Sequence, residues 1–185
     1  IALFRELLDA NPTLDAIRYE LALTLCSTET FDMDYLRRSV EAHELCLQLL
    51  ETSPDLPHVK ALYASIRATF AERQMRIKKY KAAEDTWQEV LKIYESLIKT
   101  SPNVLLYERR HSDTLESLAE LRMKQGDRES ARNYLEQAIE GLQIAIKRSP
   151  NSPVIRMQLN RLMQRARRQA NVQASSSELE PASGK

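Results

Sequence analysis

The chain has 185 residues, 43% of them hydrophobic and 29% charged, and 27 basic side chains against 26 acidic ones leave a net charge of +1. That is ample apolar material for one elongated domain, and the high charged share suits a fold that exposes more surface than a sphere does. Only three glycines and 6% aromatic residues occur, with no alternating β-branched runs, no stretch of 18 apolar residues and no signal-like opening, which excludes a sheet protein or a membrane span.

A short tract ending in proline recurs four times, as Ala10-Asn11-Pro12, Thr52-Ser53-Pro54, Thr100-Ser101-Pro102 and Arg148-Ser149-Pro150, at intervals of 42, 48 and 48 residues. A fixed period in that range marks a repeat array whose units are helix pairs, each too small to bury a core alone. Proline ends the second helix of each pair, because it lacks the backbone donor and biases the preceding residue away from helical angles.

Taken in chain order, residues 1–10 are expected to be the end of a preceding second helix, since Leu7-Leu8 precede Pro12 as Leu49-Leu50 precede Pro54. Helices are then expected over 13–27, 34–51, 57–77, 81–100, 105–124, 128–148 and 153–170. These make a first repeat at 13–54, a second at 55–102, a third at 103–150 and a capping helix at 151–170. From about residue 171 the sequence Asn-Val-Gln-Ala-Ser-Ser-Ser-Glu-Leu-Glu-Pro-Ala-Ser-Gly-Lys is too polar to pack and reads as a disordered tail. The isoleucine start and the half repeat that follows it read as a piece of something longer.

A shift of 48 superimposes the second and third units: Phe70 falls on Leu118, Ala71 on Ala119, Ala83 on Ala131, Trp87 on Leu135, Val90 on Ala138 and Ile98 on Ile146. The stripe Ala83, Trp87, Val90, Leu91, Tyr94 and Ile98 has helical spacing. Gly126 can take the left-handed conformation that ends a helix, and Asp127 can cap the next; Ser152-Pro153 reads as an N-cap and first helical position. The first unit is six residues shorter, and aligned from its proline it carries Tyr35 and Ser39 where the second has Ala83 and Trp87, with Ala42 matching Val90.

Cys26 and Cys46 fall on the two helices of one hairpin, too far apart for a disulfide, and read as buried thiols. His43 and Cys46 share a helix face, but no second ligand pair accompanies them, so no metal or cofactor is implied. There is no phosphate loop and no nucleophile elbow, and His43, His58 and His111 are scattered; the chain reads as non-enzymatic. His111 aligns with Tyr63 and reads as a packed, hydrogen-bonded core residue.

Leu118-Ala119, Lys124-Gln125-Gly126-Asp127, Ala131, Leu135 and Ala138 together resemble a tetratricopeptide repeat, and the second unit matches through Ala71, Ala83, Trp87 and Val90, with Lys78-Lys79 where the turn glycine would be. The usual repeat is 34 residues, and 14 more are almost four helical turns, which keeps the faces in phase. Long repeats of this kind resemble those attached to bacterial serine/threonine kinases and other signalling proteins. The resemblance covers residues 1 to about 170 and implies an all-α, right-handed solenoid in which the first helix of each pair lines a concave groove. The matching groove positions are Ser65, Ala68, Glu72, Met75 and Arg76 in the second unit and Asp113, Glu116, Glu120, Met123 and Lys124 in the third. Mixed charges beside a methionine suit an extended or helical peptide. Family members that clamp a C-terminal carboxylate use lysines and asparagines at such positions; Glu72, Glu116 and Glu120 stand there instead and would repel an acidic tail.

Charge is partitioned along the chain. Between Glu140 and Glu178 there is no acidic residue but seven basic ones, Lys147, Arg148, Arg156, Arg161, Arg165, Arg167 and Arg168, whereas residues 1–140 carry 19 basic against 24 acidic, a net of −5. The last helix is a polar-faced cap whose stripe of Ile155, Leu159, Leu162, Met163 and Ala166 closes the core, an anion-binding surface, or a contact for the acidic face of a second copy. No aromatic residue interleaves the arginines, which argues against single-stranded nucleic acid. The reading as a whole is a cytoplasmic, non-catalytic protein-interaction scaffold within a bacterial signalling or sensor protein, with homo-oligomerisation and anionic-surface or nucleic-acid binding as its alternatives.

Overall fold

The structure is a computed structural model that describes residues 1–26 and 33–177. Among the described residues there are eight helices and no strand: α1 (Ala2–Ala10), α2 (Asp15–Cys26), α3 (Met33–Thr52), α4 (Pro57–Arg76), α5 (Tyr80–Thr100), α6 (Leu105–Lys124), α7 (Arg128–Arg148) and α8 (Pro153–Ser177). The chain divides into two compact units, Ile1–Thr100 and the part from Ser101 onward. The first holds α1 and the pairs α2/α3 and α4/α5; the second holds α6/α7 and α8. Within each unit consecutive helices pack as antiparallel pairs and the pairs stack, α4 lying on both α2 and α3 in the first and α8 on both α6 and α7 in the second. This all-α, solenoid-type stacking is what the period implies. The last helix, however, runs on to Ser177 where loss of order was expected from residue 171; residues 178–185 lie outside the described residues, as does the junction of the first pair at 27–32.

The four proline tracts form one turn repeated. In each, the N–H three residues on donates to the carbonyl of the residue before proline: Leu14 to Asn11 at 3.2 Å, Leu56 to Ser53 at 3.4 Å, Val104 to Ser101 at 3.1 Å and Ser152 to Ser149 at 3.2 Å. Proline sits at the second turn position, which its fixed φ suits. The residue before it has left the helix; Asn11 has φ −140° and Ser149 φ −135°.

The two turns within pairs are also alike. Gly126 has φ +83°, its N–H donates to the Met123 carbonyl at 3.1 Å, and the Asp127 N–H donates to the Arg122 carbonyl at 2.9 Å. Forty-eight residues earlier, Lys78 has φ +60°, with bonds from Lys78 to the Met75 carbonyl at 3.0 Å and from Lys79 to the Gln74 carbonyl at 2.8 Å. The same left-handed helix end is built with glycine once and with lysine once. Asp127 then caps α7 by accepting the Ser130 N–H at 3.0 Å, a bond that holds its carboxyl below the ordinary range.

The core follows the repeat register. Ala71, Ala83, Ala119, Ala131 and Ala138 are wholly buried, so helices approach closely where the side chains are small. Trp87, Val90 and Tyr94 on α5 are buried, and so are Ser39 and Ala42 at the positions of Trp87 and Val90 on α3; the Tyr35 side chain lies outside the described residues. Two details differ from the sequence pattern. Leu97 rather than Ile98 completes the α5 stripe, and on α8 it is Ile155, Gln158 and Leu162 that are buried, whereas Leu159, Met163 and Ala166 are half-buried. Cys26 and Cys46 are free thiols; Cys46 is buried and donates weakly to the Val59 carbonyl, and burial pushes the two up to about 11 and about 12. His43 stacks on Tyr63 (5.7 Å) and meets Phe70 edge-on (5.5 Å), and His58 meets Tyr19 edge-on (5.0 Å).

An arginine secures the first proline turn of each unit, but from different helices. In the first, Arg18, six residues after Pro12, donates to the Pro12 carbonyl and pairs with Asp15, which also accepts from Thr52 at 2.8 Å. In the second, position six after Pro102 is Glu108, and the arginine is Arg148, at the place of Thr52; it donates to the Pro102 carbonyl and pairs with Glu108, only 5% exposed. A carboxylate that deep is tolerable only while its partner is present.

Substitutions at the turns and at the buried pair test these local arrangements. Lys78→Gly is expected to stabilise by about 0.5 kcal/mol, the relief of left-handed strain exceeding glycine's added chain entropy, while Gly126→Ala destabilises by about 1 kcal/mol. Urea unfolding followed by circular dichroism reads both, and shifts of the same sign would contradict the shared turn. By the same measurement Arg148→Met should cost about 3 kcal/mol, most of it recovered in Arg148→Met/Glu108→Leu, because two apolar groups replace an orphaned buried charge.

Candidate protein-binding site

The first helices of the second and third pairs, α4 and α6, carry the groove positions expected from the repeat. On α4, Glu72 and Arg76 are exposed with Met75 half-buried, next to the core-facing Ala71. Ser65 is drawn inward by a 3.0 Å hydrogen bond with the Tyr94 hydroxyl, and Ala68 is half-buried. One turn earlier on the same helix, Tyr63 donates to Glu89 at 2.9 Å and Arg67 pairs with the other oxygen of Glu89 at 2.7 Å, tying α4 to α5. Of the α4 positions, therefore, Glu72, Met75 and Arg76 form the accessible end.

On α6, Asp113, Glu116 and Glu120 fall at i, i+3 and i+7, one ridge of the helix. This ridge meets α8. Gln158 Nε2 donates to Asp113 Oδ1 at 2.7 Å and to the Arg109 carbonyl at 3.2 Å; Arg161 pairs with Glu116 at 2.5 Å and with Asp113 at 3.6 Å; Arg165 pairs with Glu116 at 2.7 Å and with Glu120 at 3.9 Å. Gln158, Arg161 and Arg165 are themselves at i, i+3 and i+7, so two ladders of the same pitch run in the same direction. The Glu116 side chain is only 15% exposed, which lifts its pairs above the usual surface salt bridge. Burial raises the Asp113 carboxyl while Arg110, Arg161 and Arg109 oppose that rise. Lys124 pairs with Glu120 at 3.7 Å, and Met123 and Lys124 are exposed at the end of α6.

The structure thus brings together two groups that the sequence presented as separate sites. Asp113, Glu116 and Glu120 are joined to Arg161 and Arg165, whereas Arg167 and Arg168 are exposed on α8 and take no part in the ladder. Repulsion of an acidic peptide at Glu116 and Glu120 is correspondingly weakened, since each carboxylate has an arginine beside it. Gln158 is the residue that pattern reading passed over. Its signal was present in the spacing, because Gln158, Arg161 and Arg165 repeat the intervals of Asp113, Glu116 and Glu120.

Two solved structures are similar in fold: TTC0263, a thermophilic tetratricopeptide-repeat protein of Thermus thermophilus, at 14% identity and TM-score 0.46 over 88% of each chain, and MamA, at 15% identity and TM-score 0.40 over 93% of this chain and 87% of that one. No protein-family model matches the chain, and no curated protein does. No helix among the described residues is long and apolar enough to cross a membrane.

Replacing Arg161 or Arg165 by alanine should loosen α8 by about 1 kcal/mol each at low ionic strength. The penalty should shrink toward 1 M salt, where the screening length falls to about 3 Å. Hydrogen exchange of the α8 amides measures this, and a penalty indifferent to salt would mean that packing, not charge, holds the ladder.

Proposed function

We propose that the chain is a non-catalytic scaffold that binds a partner protein or peptide on the first helices of its pairs, as part of a larger bacterial signalling or sensor protein. The observation that carries the reading is the α6 ridge: a first-helix face of this chain already holds a helix by matched side-chain pairs. The same helix position on α4 presents Glu72, Met75 and Arg76, two exposed charges of opposite sign around a flexible thioether, a combination suited to a peptide with both polar and apolar anchors. His43 and His58 serve aromatic packing, which supports a structural role for them over a chemical one. The signalling context rests on the likeness of the long repeat to kinase-associated arrays.

A second reading, attachment to an anionic surface or to another copy through α8, is favoured by exposed Arg156, Arg167 and Arg168 on a helix that carries no carboxylate over Pro153–Ser177. Light scattering across protein concentration tests the self-association arm, which a constant mass near 21.3 kDa rules out and a concentration-dependent rise supports, and binding to anionic vesicles that falls with salt tests the other. For the scaffold itself, panning a displayed library of peptides should enrich a sequence class on the wild-type chain, and Glu72→Lys/Met75→Ala should weaken those peptides by about tenfold. Enrichment that is indifferent to that double substitution would move the site off α4.

A further inference from the structure

The ridge of α6 is matched by α8 in pitch and charge, yet α8 is the lightly anchored helix of its unit. Among its described side chains only Ile155, Gln158 and Leu162 are buried, against eight residues on α6 and five on α7. Among the described residues its polar attachments to α6 run from donors on α8 to acceptors on α6, from Gln158, Arg161 and Arg165 to Asp113, Glu116, Glu120 and the Arg109 carbonyl. The fit is also incomplete. Gln158 is 6% exposed, its amide nitrogen is used twice, and its Oε1 has no hydrogen-bond partner. A buried acceptor without a donor is unfavourable, and both α6 groups that Gln158 reaches, the Asp113 carboxylate and the Arg109 carbonyl, are themselves acceptors. A side chain with donors alone would serve that place better.

We propose that the Asp113–Glu116–Glu120 ridge is a docking surface for an amphipathic helix with basic side chains at i, i+3 and i+7, and that α8 is its resident occupant, displaced when a partner helix of that chemistry binds. The proposal rests on the scaffold reading and names the partner for its α6 face. A competing helix with lysine in place of the glutamine keeps both arginine pairs and removes the orphaned oxygen, so it has a differential affinity with which to shift the equilibrium away from α8. Because the pairs are charge-assisted and partly open to solvent, both the resident and the incoming helix are held less tightly as salt rises.

The test uses the full chain and a fluorescent peptide of residues 153–169, made as the native sequence, with lysine at the position of Gln158, and with the basic residues scrambled off the i, i+3, i+7 pattern. Anisotropy is read against the wild type and against Arg161→Glu/Arg165→Glu, whose α8 no longer competes. The expected order of affinity is lysine peptide, native peptide, scrambled peptide, with the double variant binding about tenfold tighter than the wild type and Glu116→Lys abolishing binding. Should the double variant lose its helical circular dichroism, Arg161→Gln/Arg165→Gln takes its place with the same expectation. Failure of a folded variant to bind the lysine peptide, or equal binding of the scrambled one, overturns the proposal. Loss of the α6 result with peptide selection on α4 intact overturns this inference alone and spares the scaffold.

Discussion

Each Xaa-Pro turn bears on two helices at once, ending the one before it and opening the one after. The proline removes a donor and fixes φ, the residue before it leaves helical angles, and the residue three ahead closes the turn at 3.1 to 3.4 Å in all four copies. A helix pair cannot bury its apolar stripe alone, so its stability depends on its neighbour arriving at the correct distance and phase. Within each unit a four-residue turn of constant geometry leads from the end of one helix to the next that packs with it, and the 48-residue period is the length of chain between two such turns. The alanines then set how close the helices come, since Ala71 and Ala83 in one pair and Ala119 and Ala131 in the other are all fully buried.

The turns are reinforced by charge, and the way this is done shows what is held constant. Arg18 in the first unit and Arg148 in the second both reach a proline carbonyl, although they come from different helices and their carboxylate partners, Asp15 and Glu108, occupy different registers. The common element is a guanidinium at the carbonyl with a carboxylate behind it, and not the residue at any one position. A planar fork that donates in several directions can satisfy a backbone oxygen and a carboxylate together, which a lysine point charge does less well. The Pro54 turn has Lys60 at the place of Arg18, and it pairs with Asp55 at 3.2 Å.

The helices and their order were legible because three strong signals agreed: proline spacing, helical periodicity and small residues at recurring positions. The finer features were less legible for identifiable reasons. Lys78 adopts φ +60° in a turn that glycine makes elsewhere, because local hydrogen bonds to Met75 and Gln74 outweigh the Cβ strain, and propensity alone gives no sign of that. Helix α8 continues to Ser177 through a polar segment with few apolar side chains, where composition suggested loss of order; a run that contains no proline or glycine after Pro153 has nothing to end it. The candidate site was half legible. The acidic ladder and the arginines of the other were visible as runs of like charge and Gln158 was not; a single helix does not reveal what faces it, and the union of Glu116 with Arg161 and Arg165 depends on α8 taking the place beside α6 that a further first helix would take.

That union places a charged contact between two helices that packing alone would otherwise join. Stacking of first helices in this chain has no fixed chemistry: α2 and α4 meet through the edge-on rings of Tyr19 and His58, while α6 and α8 meet through paired charges and a buried amide. An aromatic contact of the first kind gains most of its free energy from area removed from water and changes little with ionic conditions. A charged ladder gains from pairing, loses from desolvation, and nets a smaller difference that salt and competitors can move. The second kind falls at α8, which among the described residues of its unit is the helix with the fewest buried side chains, and Gln158 Oε1 there has no hydrogen-bond partner.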